Sequence, residues 1–299
     1  MFEEFKSAFQ RYNNGPVQLI IINVVIFVVL GILFVISTIS GFDEPFHLLH
    51  KQFQIPARFS EFITRPWTII TYMFMHDLTG ILHILFNMLV LYWFGKLFVE
   101  YLGSDKLIAL YVLGGLAGGV AYLLAYNTIP FFVDKATNYQ IGMVGASAAV
   151  DAIVVGTATL LPNYTFFLLF FGPVRIKYIA AITVFLSILG TVGTNAGGNI
   201  AHLGGALIGF VYMKQLQAGS DWGIWITVTL DWIKGLFKPR PKVKVSYRKE
   251  KASSVKTQSS GSNYTQDEID AILDKISAGG YESLTKEEKE KLFNASKNK

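Results

Sequence analysis

The run that decides the fold is Val17–Ser40, VQLIIINVVIFVVLGILFVISTIS, which holds 24 residues and no charged side chain. A helix needs about 20 consecutive apolar residues to cross a bilayer, so this run is long enough. It is too long for the apolar part of a signal peptide, its N-terminal flank carries two acids beside two bases, and no small-residue cleavage site follows it. We therefore predict a retained transmembrane helix.

The composition of the whole chain agrees with a membrane protein. Of its 299 residues, 52% are hydrophobic and 16% are charged, and its mean hydropathy is +0.42. A typical soluble domain has about 25% charged residues. This composition excludes a disordered chain and argues against an ordinary cytosolic enzyme. The absence of cysteine excludes a disulfide scaffold, a zinc–cysteine site and a thiol nucleophile.

Further apolar runs predict five more membrane helices, which makes six in total. Several are rich in glycine and alanine and contain polar residues, and polar groups in a bilayer normally face the interior of a helix bundle. Three Gly-x-x-x-Gly pairs allow close helix approach: Gly114/Gly118, Gly115/Gly119 and Gly205/Gly209. The additional spans lie at about 81–101, 106–126, 142–161, 177–192 and 197–217. The sequence thus predicts an all-α membrane protein with a six-transmembrane-helix bundle over residues 17–217.

The net charge of +5 is concentrated in one short stretch. Residues 1–234 have a net charge of 0, residues 235–256 of +7 and residues 257–299 of −2. Because basic residues stay on the cytoplasmic side of a membrane, this stretch predicts that both termini are cytoplasmic. We expect a multi-pass protein of the inner (plasma) membrane, whose basic stretch contacts the lipid bilayer and binds no nucleic acid.

Three segments flank or interrupt the predicted bundle. Residues 1–16 form the cytoplasmic N-terminus, and the aromatic-rich loop 41–80 is expected in the outer membrane interface. Segment 218–237 carries three tryptophans beside charged residues and predicts an interfacial amphipathic helix. A seventh span is the alternative for that segment.

The C-terminal part of the chain is polar. Residues 238–263 predict a basic, flexible linker without apolar periodicity, and residues 264–299 predict a small cytoplasmic helical hairpin. Two Thr-x-x-Glu sequences, at Thr265 and Thr285, are typical of helix capping boxes, and Gly279-Gly280 supplies a turn between them. The partner of this tail is unknown.

Four polar residues converge at one depth of the predicted bundle. His83, Ser147 and His202 each fall within about the first six residues of the second, fourth and sixth spans, which run in the same direction. A rise of 1.5 Å per residue places them in one layer within about 10 Å of the outer helix ends. Asn87 follows His83 by four residues and therefore shares its helix face.

This layer contains the groups that acyl transfer requires. A serine hydroxyl attacks a carbonyl only if a base takes its proton, and a neutral imidazole is such a base. An amide, an imidazole N–H and the helix N-terminus at Ser147 can stabilise an oxyanion. Each residue alone is more often a packing serine, a buried histidine or an interhelical asparagine. No metal site is expected, since the chain lacks H-E-x-x-H and its histidines have no carboxylate at ligand spacing.

The same residues resemble the rhomboid family of intramembrane serine proteases over about residues 60–217. His83-Ile84-Leu85-Phe86-Asn87 matches the family's H-x-x-x-N signature, Gly145-Ala146-Ser147-Ala148 its G-x-S-x signature, and Ala201-His202-Leu203-Gly204-Gly205 its A-H-x-x-G signature. The resemblance implies a six-helix core that hydrolyses peptide bonds in or near the transmembrane segments of single-span membrane proteins. It implies no metal or cofactor, and water that reaches the site from the outer face.

The resemblance also implies a role for each site residue. Ser147 is the expected nucleophile and His202 the general base. His83 and Asn87 are expected to stabilise the oxyanion together with the backbone N–H of Ser147.

The sequence departs from the family pattern at two places. Asp151 stands where the family usually has Tyr or Phe, and we hypothesise that it orients or charges His202. The alternative is a hydrogen bond from Asp151 to a neighbouring helix or loop. In the first loop, Arg65-Pro66-Trp67-Thr68 replaces the family's Trp-Arg pair, and His76 is expected to support the oxyanion region or to cap the loop.

Two other functions are alternatives to a protease. A rhomboid-like protein that binds transmembrane segments without cutting them would be free to lose Ser147 or His202, and both are present. A transporter or proton relay using His83, Asp151 and His202 would be favoured by broken helices or internal repeats, and the sequence shows neither.

Overall fold

The computed structural model describes residues 11, 13–138, 142–168, 171–237 and 265–297. The chain divides into two units, Met1–Lys238 and Pro239–Lys299. The described part of the first unit is mostly helical, because a helix satisfies its own backbone hydrogen bonds, as a chain in lipid requires. The predicted linker 238–263 and most of the predicted N-terminus 1–16 lie outside the described residues.

The first unit consists of helices joined by short strands and turns. Two antiparallel strand pairs, which the sequence analysis did not predict, are β1 (Ile55–Pro56) with β2 (Gly142–Met143) and β3 (Thr165–Leu168) with β4 (Gly172–Arg175). The helices are α1 (Gly15–Ser40), α2 (Asp43–Lys51), α3 (Phe59–Thr64), α4 (Thr68–Thr71), α5 (Ile81–Leu102), α6 (Ser104–Thr128), α7 (Pro130–Asn138), α8 (Ser147–Leu160), α9 (Ile176–Gly190), α10 (Ala196–Gln217) and α11 (Ile224–Phe237).

Helices occupy all six predicted spans. In the described residues, α1, α5 and α6 are long and apolar enough to cross a membrane by length and composition. Helices α8 and α9 are apolar but have only 14 and 15 residues, and the glycine-rich α10 has 22. The mostly helical fold is therefore confirmed, and the count of six spans stays a prediction.

One predicted boundary is wrong, because the span 142–161 was expected to begin five residues before the helix does. Gly142–Met143 pairs instead with Ile55–Pro56 of the outer loop, and the N–H of Gly145 donates to the Tyr72 carbonyl over 3.0 Å. Gly145 then turns the chain at a φ of +143°, which glycine adopts far more readily than other residues. Helix α8 begins at Ser147.

Helix α8 packs tightly between α10 and α6. A Cβ atom at Gly205 of α10 would overlap the carbonyl oxygen of Ala148, so the two backbones touch there. On the α6 side, a Cβ atom at Gly114 would lie 3.0 Å from the Cα of Ala149. Small residues on all three helices make this approach possible.

The pair Gly115/Gly119 has a different contact from the one expected. Its glycines face the outer loop, where added Cβ atoms would meet the side chains of Met73 and Ile69. This pair therefore fits α6 to the loop, whereas Gly114 and Gly205 bring helices together.

The outer loop 41–80 folds against the bundle through buried apolar and aromatic side chains. Tyr72 is 1% exposed, and its hydroxyl donates to the Gly115 carbonyl over 2.6 Å. At the sequence that departs from the family's Trp-Arg pair, the Arg65 guanidinium donates to the Lys51 carbonyl over 2.6 Å and the Trp67 indole to the Gln52 carbonyl over 2.8 Å. These bonds tie α3 and α4 to the end of α2.

Helix α11 follows α10 and is anchored by Asp221. The Asp221 carboxylate accepts hydrogen bonds from the Gly223 N–H at 2.8 Å and the Tyr212 hydroxyl at 3.0 Å. Trp225 and Trp232 of α11 are exposed. At 14 residues, α11 is shorter than the roughly 20 that a span requires, and its predicted interfacial position stays a prediction.

The second unit contains α12 (Gln266–Gly279) and α13 (Lys286–Lys297), joined through a 3₁₀ turn at Tyr281–Ser283. Thr265 and Glu268 form a capping box at the start of α12. The Lys275 ammonium lies 2.9 Å from the Glu288 carboxylate and so links the two helices.

Replacing Gly205 with alanine should lower the thermal unfolding temperature of the detergent-solubilised protein. The added methyl group overlaps a backbone carbonyl, which cannot rotate away as a side chain can. We expect the free energy of unfolding to fall by about 1–3 kcal/mol, the usual cost of overpacking a protein core.

Gly31→Ala is the matched control. A Cβ atom added to this glycine of α1 would have no other atom within 4 Å, so the unfolding temperature of the variant should equal that of the wild type or exceed it. Equal unfolding temperatures for the two variants would contradict the contact between α8 and α10.

Candidate active site

Ser147 and His202 meet at the outer end of the α8–α10 contact. Ser147 is the first residue of α8 and His202 the seventh of α10. The Nε2 atom of His202 lies 2.7 Å from the Ser147 hydroxyl oxygen, which is a good hydrogen-bond distance. The structure thus brings together the two residues that the sequence singled out for nucleophilic chemistry.

His83 and Asn87 approach the same place from α5. His83 is the third residue of α5, and its Cε1 lies 3.5 Å from the position that a Cβ on Gly145 would take. The Asn87 amide donates to the His83 carbonyl over 2.9 Å. Both side chains line the same cavity as Ser147 and His202. The predicted layer of four residues is therefore assembled in the structure.

A turn held by Asp77 leads the chain into α5. The Thr79 N–H and hydroxyl both donate to the Asp77 carboxylate, over 2.9 Å and 2.7 Å. These two hydrogen bonds lower the pKa of Asp77 and favour its charged form. The turn fixes where α5 begins and, with it, the depth of His83.

Two cavities meet at Ser147 and His83. One, of about 400 Å³, lies between α5, α8, α9 and α10, and the exposed side chains of Phe86 and Leu186 stand at its rim. The other, of about 380 Å³, lies under the outer loop and includes Tyr72 and Asp77 in its lining. The first has a mainly apolar wall, and the second is richer in polar groups.

Two further polar groups face the Nδ1 atom of His202. A carboxylate oxygen of Asp151 lies 3.6 Å from Nδ1, and the hydroxyl oxygen of Ser187 lies 3.4 Å from it. Asp151 is one of the residues predicted from the sequence, and Ser187 is not. The available signal was a lone serine within the apolar run of α9, which is a weak one because serine is common in membrane helices.

His76 packs behind His83 and not at the loop surface. Its ring centroid lies 5.9 Å from that of His83, and the residue is 1% exposed. Neither ring nitrogen has a hydrogen-bond partner among the described residues. Burial and the neighbouring His83 lower the pKa of His76 to about 4, so this ring is neutral at physiological pH. Of the two predicted roles, the position favours support of His83.

The described part of the chain holds no group of three His, Asp or Glu side chains arranged to bind a metal ion. The groups at the site are hydroxyl, imidazole, amide and carboxylate, which suit proton transfer and hydrogen bonding.

His76 should make the fold sensitive to acid. Because its pKa is lowered from 6.5 to about 4, the unfolded state binds more protons than the folded state between these pH values. Stability is therefore lost as the pH falls through this window, by about 2–3 kcal/mol at pH 4.5. We expect His76→Gln to reduce the fall in unfolding temperature between pH 7 and pH 4.5.

His47→Gln is the control, since His47 is an exposed histidine of the same loop. An unchanged pH dependence in His76→Gln would show that the buried ring does not titrate in this window.

Comparison with known proteins finds two family matches. Residues 64–217 match the model of the rhomboid domain, and residues 262–298 match that of a family of unknown function (DUF6576). The second match coincides with the helical hairpin of the second unit.

Three curated relatives are rhomboid-like proteins. The chain is 32% identical to RHOMBOID-like protein 12, mitochondrial, of Arabidopsis thaliana, over 52% of this chain and 48% of the relative. It is 28% identical to presenilin-associated rhomboid-like protein A, mitochondrial, of Danio rerio, over 45% of this chain and 34% of the relative. It is 29% identical to RHOMBOID-like protein 6, mitochondrial, of Arabidopsis thaliana, over 52% of this chain and 46% of the relative.

The chain therefore spans half or less of the length of these relatives. The rhomboid-domain match covers just over half of the chain and contains all the residues of the site. On the strength of that match, the chain belongs to the rhomboid family of membrane proteins.

Proposed function

We propose that this protein is an intramembrane serine endopeptidase, which hydrolyses peptide bonds in or near the transmembrane segments of single-span membrane proteins. The observation that carries the proposal is the 2.7 Å contact between His202 Nε2 and the Ser147 hydroxyl within the helix bundle. A hydroxyl paired with a neutral imidazole is the arrangement that nucleophilic catalysis by serine requires.

Each step of the reaction follows from this pair. The Ser147 oxygen attacks the scissile carbonyl carbon while Nε2 of His202 takes the hydroxyl proton. His202 then gives that proton to the leaving amide nitrogen, the carbon–nitrogen bond breaks, and an acyl-enzyme remains. Water then attacks the acyl carbon while Nε2 of His202 takes one of its protons. The bond from that carbon to the Ser147 oxygen breaks, His202 returns the proton to this oxygen, and the new carboxyl end is released.

The oxyanion of each tetrahedral intermediate forms at the start of α8. The first N–H groups of a helix have no intrahelical partner, and its dipole favours negative charge there. His83 and Asn87 line the same cavity and carry N–H groups. One Asn87 N–H is occupied by the His83 carbonyl, and the amide has a second to offer. We assign these two side chains, with the Ser147 backbone N–H, to oxyanion stabilisation.

The two cavities fit the two reactants. The apolar cavity beside α5 and α9 suits a segment of a substrate that leaves the lipid, because its rim is formed by exposed Phe86 and Leu186. The cavity under the outer loop has polar groups in its lining and a volume large enough to hold several water molecules. Water from the outer side can thus reach Ser147 without crossing the apolar cavity. The basic stretch 235–256 supports the proposed orientation, in which both termini are cytoplasmic. The plasma membrane is our proposal for the membrane that holds the protein.

Removing either member of the pair should abolish cleavage. Ser147→Ala and His202→Ala are each expected to reduce cleavage of a model single-span substrate in liposomes by about a thousandfold or more. Ser37→Ala is the matched control, since this serine of α1 bonds to the Phe34 carbonyl and lies outside the site. Cleavage by Ser147→Ala at the wild-type rate would refute Ser147 as the nucleophile, and a folded wild type that binds the substrate without cleaving it would be a protein that only binds transmembrane segments.

Removing the oxyanion donors should reduce the chemical step more than binding. We expect Asn87→Ala and His83→Ala to lower kcat by about tenfold to a thousandfold, with less than threefold change in KM. Asn127→Ala is the control, because its amide bonds to the Ala57 and Leu123 carbonyls. It should lower the unfolding temperature and leave kcat unchanged. Changes in KM alone for Asn87→Ala and His83→Ala would assign both residues to substrate binding.

A further inference from the structure

Two polar side chains lie near the Nδ1 atom of His202, on the side of the ring away from Ser147, and the serine–histidine pair alone gives them no role. Nε2 faces Ser147 at 2.7 Å, and Nδ1 faces Asp151 of α8 at 3.6 Å and Ser187 of α9 at 3.4 Å. Asp151 is 9% exposed and Ser187 is 4% exposed. Among the described residues that line the cavity beside α5 and α9, Asp151 is the one carboxylate.

We propose that Asp151 and Ser187 are positioning residues that hold His202 in the tautomer with its proton on Nδ1. This inference rests on the proposed protease function and adds a third and a fourth group to its serine–histidine pair.

The tautomer matters because only one of the two can act as the base. A neutral imidazole carries its proton on one nitrogen and a lone pair on the other. To take the Ser147 proton, His202 must have its lone pair on Nε2. The hydrogen bond at the opposite nitrogen decides which tautomer is present, and acceptors at Nδ1 select the one with the proton there.

The carboxylate has a second effect when the ring becomes charged. Once Nε2 takes the proton, His202 is a cation in a buried site where water stabilises it little. A carboxylate within 4 Å stabilises that charge strongly in a medium of low dielectric constant. Asp151 therefore favours both the reactive tautomer and the intermediate that follows.

Helix geometry explains how one helix supplies both partners of the ring. Ser147 and Asp151 are four residues apart on α8, which places them on one face and about 6 Å apart along the axis. The imidazole of α10 enters between them, with Nε2 at the serine and Nδ1 at the carboxylate. A tyrosine or phenylalanine at position 151 could pack against the ring but has no carboxylate to accept a hydrogen bond from the Nδ1–H group.

Ser187 adds a link to the helix that borders the apolar cavity. Its distance to Nδ1, like that of Asp151, is longer than the 2.7–3.2 Å of a well-formed hydrogen bond. Catalytic hydrogen bonds are often long in a free enzyme and shorten when substrate binds. Because Ser187 belongs to α9, a small displacement of this helix on substrate entry would change the contacts of the base.

The test compares steady-state cleavage by variants of the full-length protein in liposomes. Asp151→Asn keeps the shape of the side chain and removes its charge, and we expect kcat to fall tenfold to a hundredfold with KM within twofold of wild type. For Ser187→Ala we expect a threefold to tenfold fall in kcat. Thr191→Ala is the matched control, since its hydroxyl bonds to the Ile188 carbonyl at the end of α9 and its side chain lines neither of the two cavities at Ser147.

A spectroscopic measurement separates positioning from a general loss of structure. The chain has five histidines, so ¹⁵N-histidine NMR spectra can be assigned by comparison with His202→Gln. In the wild type and in Ser147→Ala, the neutral ring of His202 should carry its proton on Nδ1. In Asp151→Asn it should become a mixture of tautomers, because an amide can donate to Nδ1 as well as accept from it.

The outcomes distinguish this inference from the proposed function. Wild-type kcat in Asp151→Asn, or an unchanged tautomer, would overturn the positioning role while cleavage by the wild type upheld the protease. A wild-type protein that cleaves no substrate would refute the proposed protease function. The tautomer in the wild type and in Asp151→Asn would still report whether the carboxylate orients the ring.

Discussion

The backbone contact between α8 and α10 is the constraint on which the rest of the site depends. Gly205 has no side chain, and the carbonyl oxygen of Ala148 occupies the place where one would be. Ala148 is the neighbour of Ser147, and Gly205 follows His202 by three residues, so the same contact holds Ser147 and His202 close together. One backbone contact thus sets both the packing of the two helices and the spacing of the candidate site.

The polar side chains around Ser147 and His202 come from helices that also form the wall of the cavity. His83 and Asn87 lie on α5, Asp151 on α8 and Ser187 on α9. The outer loop completes the site from the other side, where the Tyr72 carbonyl accepts the Gly145 N–H. Loop and bundle therefore act together, because the turn at Gly145 sets where α8 begins and where its N-terminus points.

Much of this arrangement could be predicted from the sequence, because membrane helices are encoded locally. Five of the six predicted spans begin and end within about two residues of a helix, and the depth of His83 and His202 follows from counting along those helices. That Ser147 is the first residue of α8 could not be found by counting residues along a predicted span. It depends on the pairing of β1 with β2, across more than 80 residues of chain.

The contacts that the sequence did not predict are also made between residues far apart in the chain. Ser187 is of interest only because His202, on another helix, lies beside it. Hydropathy does not distinguish this serine from any other serine in an apolar run. The spacing of Ser147 and Asp151 placed the carboxylate on the serine's face, and only the packing of α10 shows that a ring nitrogen lies beside it. The contact of Gly115 and Gly119 with the outer loop is a further case, since a small-residue motif does not identify its partner.

In the proposed mechanism His202 activates the hydroxyl of Ser147. Labelling the purified protein with a fluorophosphonate, followed by peptide mass spectrometry, tests this activation without any knowledge of the natural substrate. We expect an adduct on Ser147 in the wild type and none in His202→Ala. Failure to label Ser147 in the folded wild type, or equal labelling of Ser147 in His202→Ala, would contradict it.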